Sequence, residues 1–209
     1  YKRQYEQREI EGEIKDMLED KIAELNGRSG LHIQLITHEP KAFDSPMAHY
    51  GKFSGVTDYI AMIGKKGADL EEKCGYYGEK LVILAQQLGL NTCWVAMTYR
   101  RIKTAYKLDA GEKLCIVIAI GYGKTQGVPH KSKAPSEVAD MGDVPEWFKK
   151  GVEAALLAPT AVNQQKFFFS LDNGRVSARA GRGFYSKIDL GIAKCHFELG
   201  AGKENFNWA

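Results

Sequence analysis

Residues Leu81 to Val95 read L-V-I-L-A-Q-Q-L-G-L-N-T-C-W-V, an apolar helix that passes through a glycine turn straight into a strand. Helix-forming residues stop at Gly89, Asn91-Thr92 offers backbone N–H groups, and Cys93-Trp94-Val95 resumes as a strand. A turn of this kind can place amide donors against a flat, electron-rich ring. It also fixes the chain as one that alternates helices with strands.

Working outward from that stretch, the helix begins near residue 69 and is preceded by a strand at about 58–63. Upstream, Ile10, Ile14, Met17, Leu18, Ile22 and Leu25 keep helical spacing, with Asn26-Gly27 as the stop before the strand L-H-I-Q-L-I at 31–36. Downstream, a short helix near 100–107 leads to an apolar strand at 114–120. Residues 123–143, rich in Gly, Pro, Ser, Lys and Asp, read as a linker.

The pattern then restarts. Asp143 can cap a helix with Pro145 and Glu146 in its first turn and apolar residues to Leu157. Phe167–Leu171 and Arg175–Ala178 flank Asp172-Asn173-Gly174, a hairpin signal. Ser186 opens a helix to about Leu199, and the following G-A-G-K-E-N-F-N-W echoes L-G-L-N-T-C-W in its glycine turn and trailing tryptophan. The second part reads as a shortened copy of the first, well short of a solenoid repeat.

Composition limits the function classes. At 209 residues, 44% hydrophobic and 26% charged, the chain suits one globular domain with a sizeable core. A net charge of +3, with acidic and basic residues interspersed, gives no electrostatic footprint for nucleic acid or a membrane surface. The longest apolar run, near Leu114–Ile120, is a strand's length, far below the roughly 20 residues of a membrane helix. Cys74, Cys93, Cys115 and Cys195 lie far apart without C-x-x-C spacing, which argues against a zinc site or redox pair and fits a reducing cytoplasm. No signal peptide is read, and a start at Tyr1 rather than Met puts residues upstream outside this sequence. His49, His130 and His196 follow no metal-ligand spacing, and His196, in an apolar helix, reads as a satisfied core histidine. The glycines at 181 and 183 lie outside a strand-to-helix dinucleotide fingerprint.

Three segments together carry a resemblance. Residues 158–165, A-P-T-A-V-N-Q-Q, are close to A-P-S-x-x-N-x-Q; residues 119–133 give A-I-G-Y-G followed by P-H-K-S-K, like a closing strand and a basic K-x-R tail; and the 81–95 turn completes the set. With these the chain resembles the FMN-dependent nitroreductases over most of its length. The resemblance implies an α+β fold, a three-layer sandwich with a central, mostly antiparallel sheet flanked by helices, in two pseudo-repeated halves of about 1–135 and 144–209 within a single domain. One departure matters. In the family the P-S-x-x-N-x-Q loop follows the first long helix, but that place here reads L-N-G-R-S-G-L-H-I-Q, and the motif arrives only in the second half. Family members build each flavin site from two identical subunits, so this order implies a monomer that imitates a dimer in cis, with further dimerisation through another surface left open.

The resemblance also assigns contacts, each beside a plainer reading. Arg3 matches the last arginine of an N-terminal R-x-S-x-R phosphate clamp, whose serine would fall at Tyr1 or upstream; a solvated terminal arginine is the plainer alternative. Lys131 and Lys133 occupy the K-x-R positions, with lysine for arginine keeping charge but losing the bidentate fork, against a solvated basic linker. Lys52 stands where a cation would meet the pyrimidine end of the flavin, or is a surface lysine. Asn91, Thr92, Cys93 and Trp94 meet the ring through backbone groups, with Trp94 otherwise core packing. Pro159 fixes the chain after the helix, Thr160 and Asn163 offer hydrogen bonds, and Gln165 bonds either the flavin or its own loop. The expected function is hydride transfer from NAD(P)H through FMN to a nitroaromatic, quinone or similar small acceptor. The alternative is a non-catalytic FMN-binding protein for storage or sensing.

Overall fold

The computed structural model describes residues 3–209, so Tyr1, the nearest position for the clamp serine, lies outside the described residues. The helices are α1 (Gly12–Ser29), α2 (Pro46–Tyr50), α3 (Leu70–Gln87), α4 (Glu146–Ala155) and α5 (Ser186–Ala201). The strands are β1 (Gln34–Ile36), β2 (Asp58–Lys65), β3 (Asn91–Val95), β4 (Glu112–Gly121), β5 (Phe167–Asp172), β6 (Arg175–Ala180) and β7 (Asn207–Trp208). The fold is α+β, with antiparallel sheet and helices, as expected. No helix among the described residues is long and apolar enough to cross a membrane.

The chain divides into two compact units. The first comprises residues up to Leu70 together with Lys80–Val128, and the second Glu71–Glu79 together with Pro129–Ala209. Two of the three boundaries fall inside α3 and the third inside the expected linker, whose C-terminal part is built into the second unit: Ser132 Oγ donates to Leu156 O at 3.2 Å, and residues 138–140 run beside β5 through Phe169 N to Val138 O at 2.9 Å and Asp140 N to Phe169 O at 3.0 Å.

In the first unit the sheet order is β1-β2-β4-β3, every pair antiparallel. The glycine turn behaves as the sequence says. Gly89 sits at φ 79°, Leu90 N reaches back to Ala85 O at 2.8 Å and Gly89 N to Gln86 O at 3.1 Å, the paired bonds that cap a helix through a left-handed residue. The strand then starts earlier than expected, because Asn91 and Thr92 already pair with Gly121 and Ile120 of β4. Their amides are therefore part of a strand, and one at the edge of the sheet, where alternate residues turn N–H and C=O away from the neighbour. One face of β2, β3 and β4 packs on Tyr5, Phe43, Phe53 and Tyr99.

Two sequence expectations in this unit change. α1 runs to Ser29 and ends on Gly30 at φ 69°, not at Asn26-Gly27. Asn26 stays helical because its side chain is used elsewhere: it receives Ile33 N at 2.7 Å and donates to Ile33 O at 2.9 Å, pinning the chain that enters β1. Residues 100–107 form turns rather than a helix. There the Gln34 amide takes both Lys107 groups, donating to Lys107 O at 2.8 Å and accepting from Lys107 N at 2.9 Å, which draws the backbone along β1 instead of coiling it.

In the second unit β5 and β6 form the expected hairpin, and Asn173 and Gly174 both take positive φ, 48° and 76°, as a two-residue turn of this type demands. β7 adds to β6 in parallel, whereas β3 joins β4 antiparallel, so the sequence echo between the two glycine turns does not extend to strand direction. α4 starts from Pro145 as its N-cap with no side-chain bond, so Asp143 does not cap it. α5 approaches residues 71–79 of α3 backbone to backbone. A Cβ on Gly191 would lie 2.0 Å from Glu72 O, and one on Gly75 would lie 2.1 Å from Ile188 O, so neither position has room for a side chain. The polar groups between these helices are paired: Glu72 with Lys194 at 2.7 Å, Tyr76 with Glu198, and Glu79 with His196 at 2.8 Å. His196 is thus the satisfied core histidine its apolar helix implies.

Candidate functional site

The candidate residues fall into two sets, one in each unit. In the first unit the N-terminal segment lies alongside Phe53-Ser54, with Ser54 N donating to Arg3 O at 2.9 Å and Tyr5 N to Ser54 O at 2.9 Å. This places the Arg3 guanidinium over the Phe53 ring, 5.7 Å from its centroid, with Nη1 donating to Gly51 O at 2.9 Å. Arg3 is half-buried and held by the 51–54 turn, so the reading of a loose terminal arginine does not apply. Lys52 follows in the same turn, exposed and at φ 61°. Cys93 completes the group: burial pushes its thiol up to about 11, and the neighbouring Arg3 charge pulls the other way. Arg3, Lys52 and Cys93, distant in sequence, are thereby gathered at one place.

Along β3 the side chains alternate. Asn91, Cys93 and Val95 are buried, while Thr92 and Trp94 are half-buried. The Asn91 carboxamide is committed to the chain after β4, accepting from Gly123 N at 2.9 Å and donating to Gln126 Oε1 at 3.1 Å. Gly123 has to be glycine for this, since a Cβ there would sit 2.6 Å from Asn91 Oδ1. The Asn91 carboxamide is thus taken up within the protein, and the Cys93 side chain is buried beside it on the same face of the strand.

In the second unit the basic tail and the A-P-T-A-V-N-Q-Q loop meet. Lys131 O accepts from Asn163 Nδ2 at 2.8 Å and from Gln165 Nε2 at 2.9 Å, while Lys133 N donates to Gln165 Oε1 at 2.9 Å. The Lys133 ammonium also donates to Gln165 O at 3.1 Å, whereas the Lys131 side chain is exposed. Thr160 closes the loop from within, its Oγ1 accepting from Gln165 N at 3.0 Å and its carbonyl from Asn163 N at 3.0 Å. Gln165 is buried at the centre of this network, with its carboxamide bonded to the tail and its backbone to the loop. Pro159 and Thr160 are half-buried where α4 gives way to the loop.

The loop conformation is costly. Val162, Asn163 and Gln165 all have positive φ, at 47°, 55° and 47°. For Val162 and Gln165 this costs roughly 1–2 kcal/mol each, less for Asn163, and a β-branched valine is a genuine outlier there. Such strain persists only where surrounding bonds over-determine it. Some of those bonds come from a residue that sequence reading passed over. Asp189 of α5 is 3% exposed and accepts from Ala161 N at 3.0 Å through Oδ1 and from Gln164 Nε2 at 2.7 Å through Oδ2. Burial raises its carboxyl above the ordinary range, against the two bonds that favour the charge. The only signal for it was an acidic residue set between the apolar Ile188 and Leu190 in the first turn of the helix.

A second group also escaped the sequence. His32, Asp109 and Glu112 of the first unit are brought together, with His32 Nδ1 2.8 Å from Glu112 Oε2 and Asp109 N donating to the same oxygen at 2.8 Å. These bonds tie the 109–112 turn to the chain entering β1.

Comparison with known proteins bears on the whole chain. Residues 2–201 match a family model described as "Putative TM nitroreductase". Among curated proteins, none matches the sequence significantly. A crystal structure from Thermotoga maritima, titled as a "putative nitroreductase", is similar with a TM-score of 0.65 at 22% identity, over 96% of this chain and 78% of that one. A Bacteroides thetaiotaomicron protein titled "Putative NADH dehydrogenase/NAD(P)H nitroreductase" gives 0.50 at 18% identity, over 66% and 89% of the two chains. An "FMN-dependent Nitroreductase" from Clostridium difficile gives 0.46 at 17%, over 66% and 88%. At such identities the first two structures speak to fold alone, but the family model spans nearly the entire sequence. The chain belongs to the nitroreductase family.

Proposed function

We propose that this protein is an FMN-dependent oxidoreductase that accepts hydride from NADH or NADPH and passes electrons to a nitroaromatic, quinone or similar acceptor. The observation that carries the reading is the joining of Lys131 and Lys133 to Asn163 and Gln165, because two motifs that resemble different parts of a flavin site are built into one hydrogen-bonded unit. The residues fit the group. Arg3 and Lys133 offer cations for a phosphate monoester, Lys131 adds charge, and Lys52 would stabilise negative charge on the ring. Asn91–Trp94 present the backbone of an edge strand, and Pro159, Thr160 and Asn163 shape the loop that Gln165 braces. When bound, FMN supplies the hydride chemistry; the chain's part is to hold it, polarise it and leave it accessible.

In this reading one chain supplies both sets of contacts, so it works as a monomer. The family membership and the displaced loop support that order of parts. The test of catalysis is spectroscopic. Anaerobic NADH or NADPH should bleach the flavin absorption of the FMN-loaded protein, and a quinone or nitroaromatic should restore it. Colour that persists with both nucleotides would leave the storage or sensing reading and remove the enzymatic one.

A further inference from the structure

We infer that Asp189 is a positioning residue for flavin binding, a latch on α5 that holds the 160–165 loop in its strained form. The inference rests on the proposed function for what the loop touches, and on geometry for how the loop is held. The loop's other supports include its own Thr160, the basic tail through Asn163 and Gln165, and Phe184 O, whereas Asp189 lies in neither motif. It grips the loop at two points, the Ala161 N–H and the Gln164 amide, and the same Gln164 amide donates to Phe184 O at 2.8 Å.

Several facts separate this latch from ordinary core packing. Val162 is 96% exposed, so burial of its side chain does nothing to offset its backbone strain. Only the bonds around the loop offset that strain, and conformations of this kind cluster where a site uses them. Asp189 sits in the first turn of α5, where the helix dipole favours a carboxylate, and both of its oxygens accept from N–H donors. Asparagine has the same shape but one acceptor and one NH₂ group, so whichever way it is turned a donor faces a donor, at Ala161 or at Gln164.

The test uses the full chain with D189N, Q164A and the double variant. In flavin-free protein, amide hydrogen exchange at 160–165 should quicken by about tenfold or more in D189N while the amides of α5 keep their protection. FMN and riboflavin affinities should fall together, by about tenfold, because the loop acts on the ring and not on the phosphate. The double variant should lose little more than either single one, since both break one latch. Unchanged loop exchange would overturn the latch, and a loosened loop with unchanged affinities, or reduced thermal stability alone, would overturn its role in binding. Should D189N fail to fold, Q164A carries the same expectations. Wild-type protein that binds no flavin would remove the proposed function and the latch's binding role together, while exchange still judges the latch by itself.

Discussion

Phe197→Ala is expected to cost about 3–5 kcal/mol of stability, the largest effect of a single change in the second unit. Its ring is fully buried and meets four others, with centroids 4.7 Å from Phe169, 5.3 Å from Phe206, 5.5 Å from Phe148 and 5.7 Å from Trp208. These rings belong to α4, β5 and the C-terminal segment, so one side chain joins three elements. Stiff aromatic neighbours collapse poorly into a void, which puts the cost in the upper range for large-to-small substitutions. Gly151 adds to the fit, because a Cβ there would lie 2.7 Å from the Phe197 ring. Urea unfolding followed by circular dichroism measures the loss, with Leu199→Ala, an exposed position on the same helix, expected within about 0.5 kcal/mol of wild type. A loss below about 1 kcal/mol for Phe197→Ala would contradict this account of the core.

Lys133→Ala should weaken FMN by about 10- to 100-fold, as expected for a charge-assisted hydrogen bond to phosphate worth about 1.5–3 kcal/mol. Riboflavin should lose much less. The structure adds a refinement, because the Lys133 ammonium also donates to Gln165 O and helps hold the loop. Part of the loss is therefore shared by both ligands, and the excess for FMN is what reports phosphate contact. Equal losses would confine Lys133 to bracing the loop. The contrast with D189N is useful, since that variant is expected to weaken both ligands alike.

What the sequence revealed, and what it hid, follows a physical division. The Gly89 turn, the Asn173-Gly174 hairpin and the strand at Cys93-Trp94-Val95 were legible because each is decided by a few neighbouring residues. The end of α1 was misplaced because Asn26, a usual stopping residue, takes a partner seven positions away, and 100–107 lost its helix to a bond with Gln34 across 73 positions. In the candidate site, the tail and loop motifs were readable as words, and the structure joins them. Asp189 was not readable, because its role depends on burial and on a loop 25–28 residues upstream. The Asn91 side chain, expected beside a ligand only through its backbone, proved to be a clamp on Gly123 and Gln126, a pairing that no local pattern announces.

The central claim is that this one chain holds FMN. Titrating FMN into the purified chain, with flavin fluorescence as the signal and sedimentation to record its mass, tests it most directly. The account predicts quenching that saturates at one FMN per chain on a monomer, with FMN rather than FAD released on heating. Protein that stays colourless and leaves flavin fluorescence unquenched would contradict it.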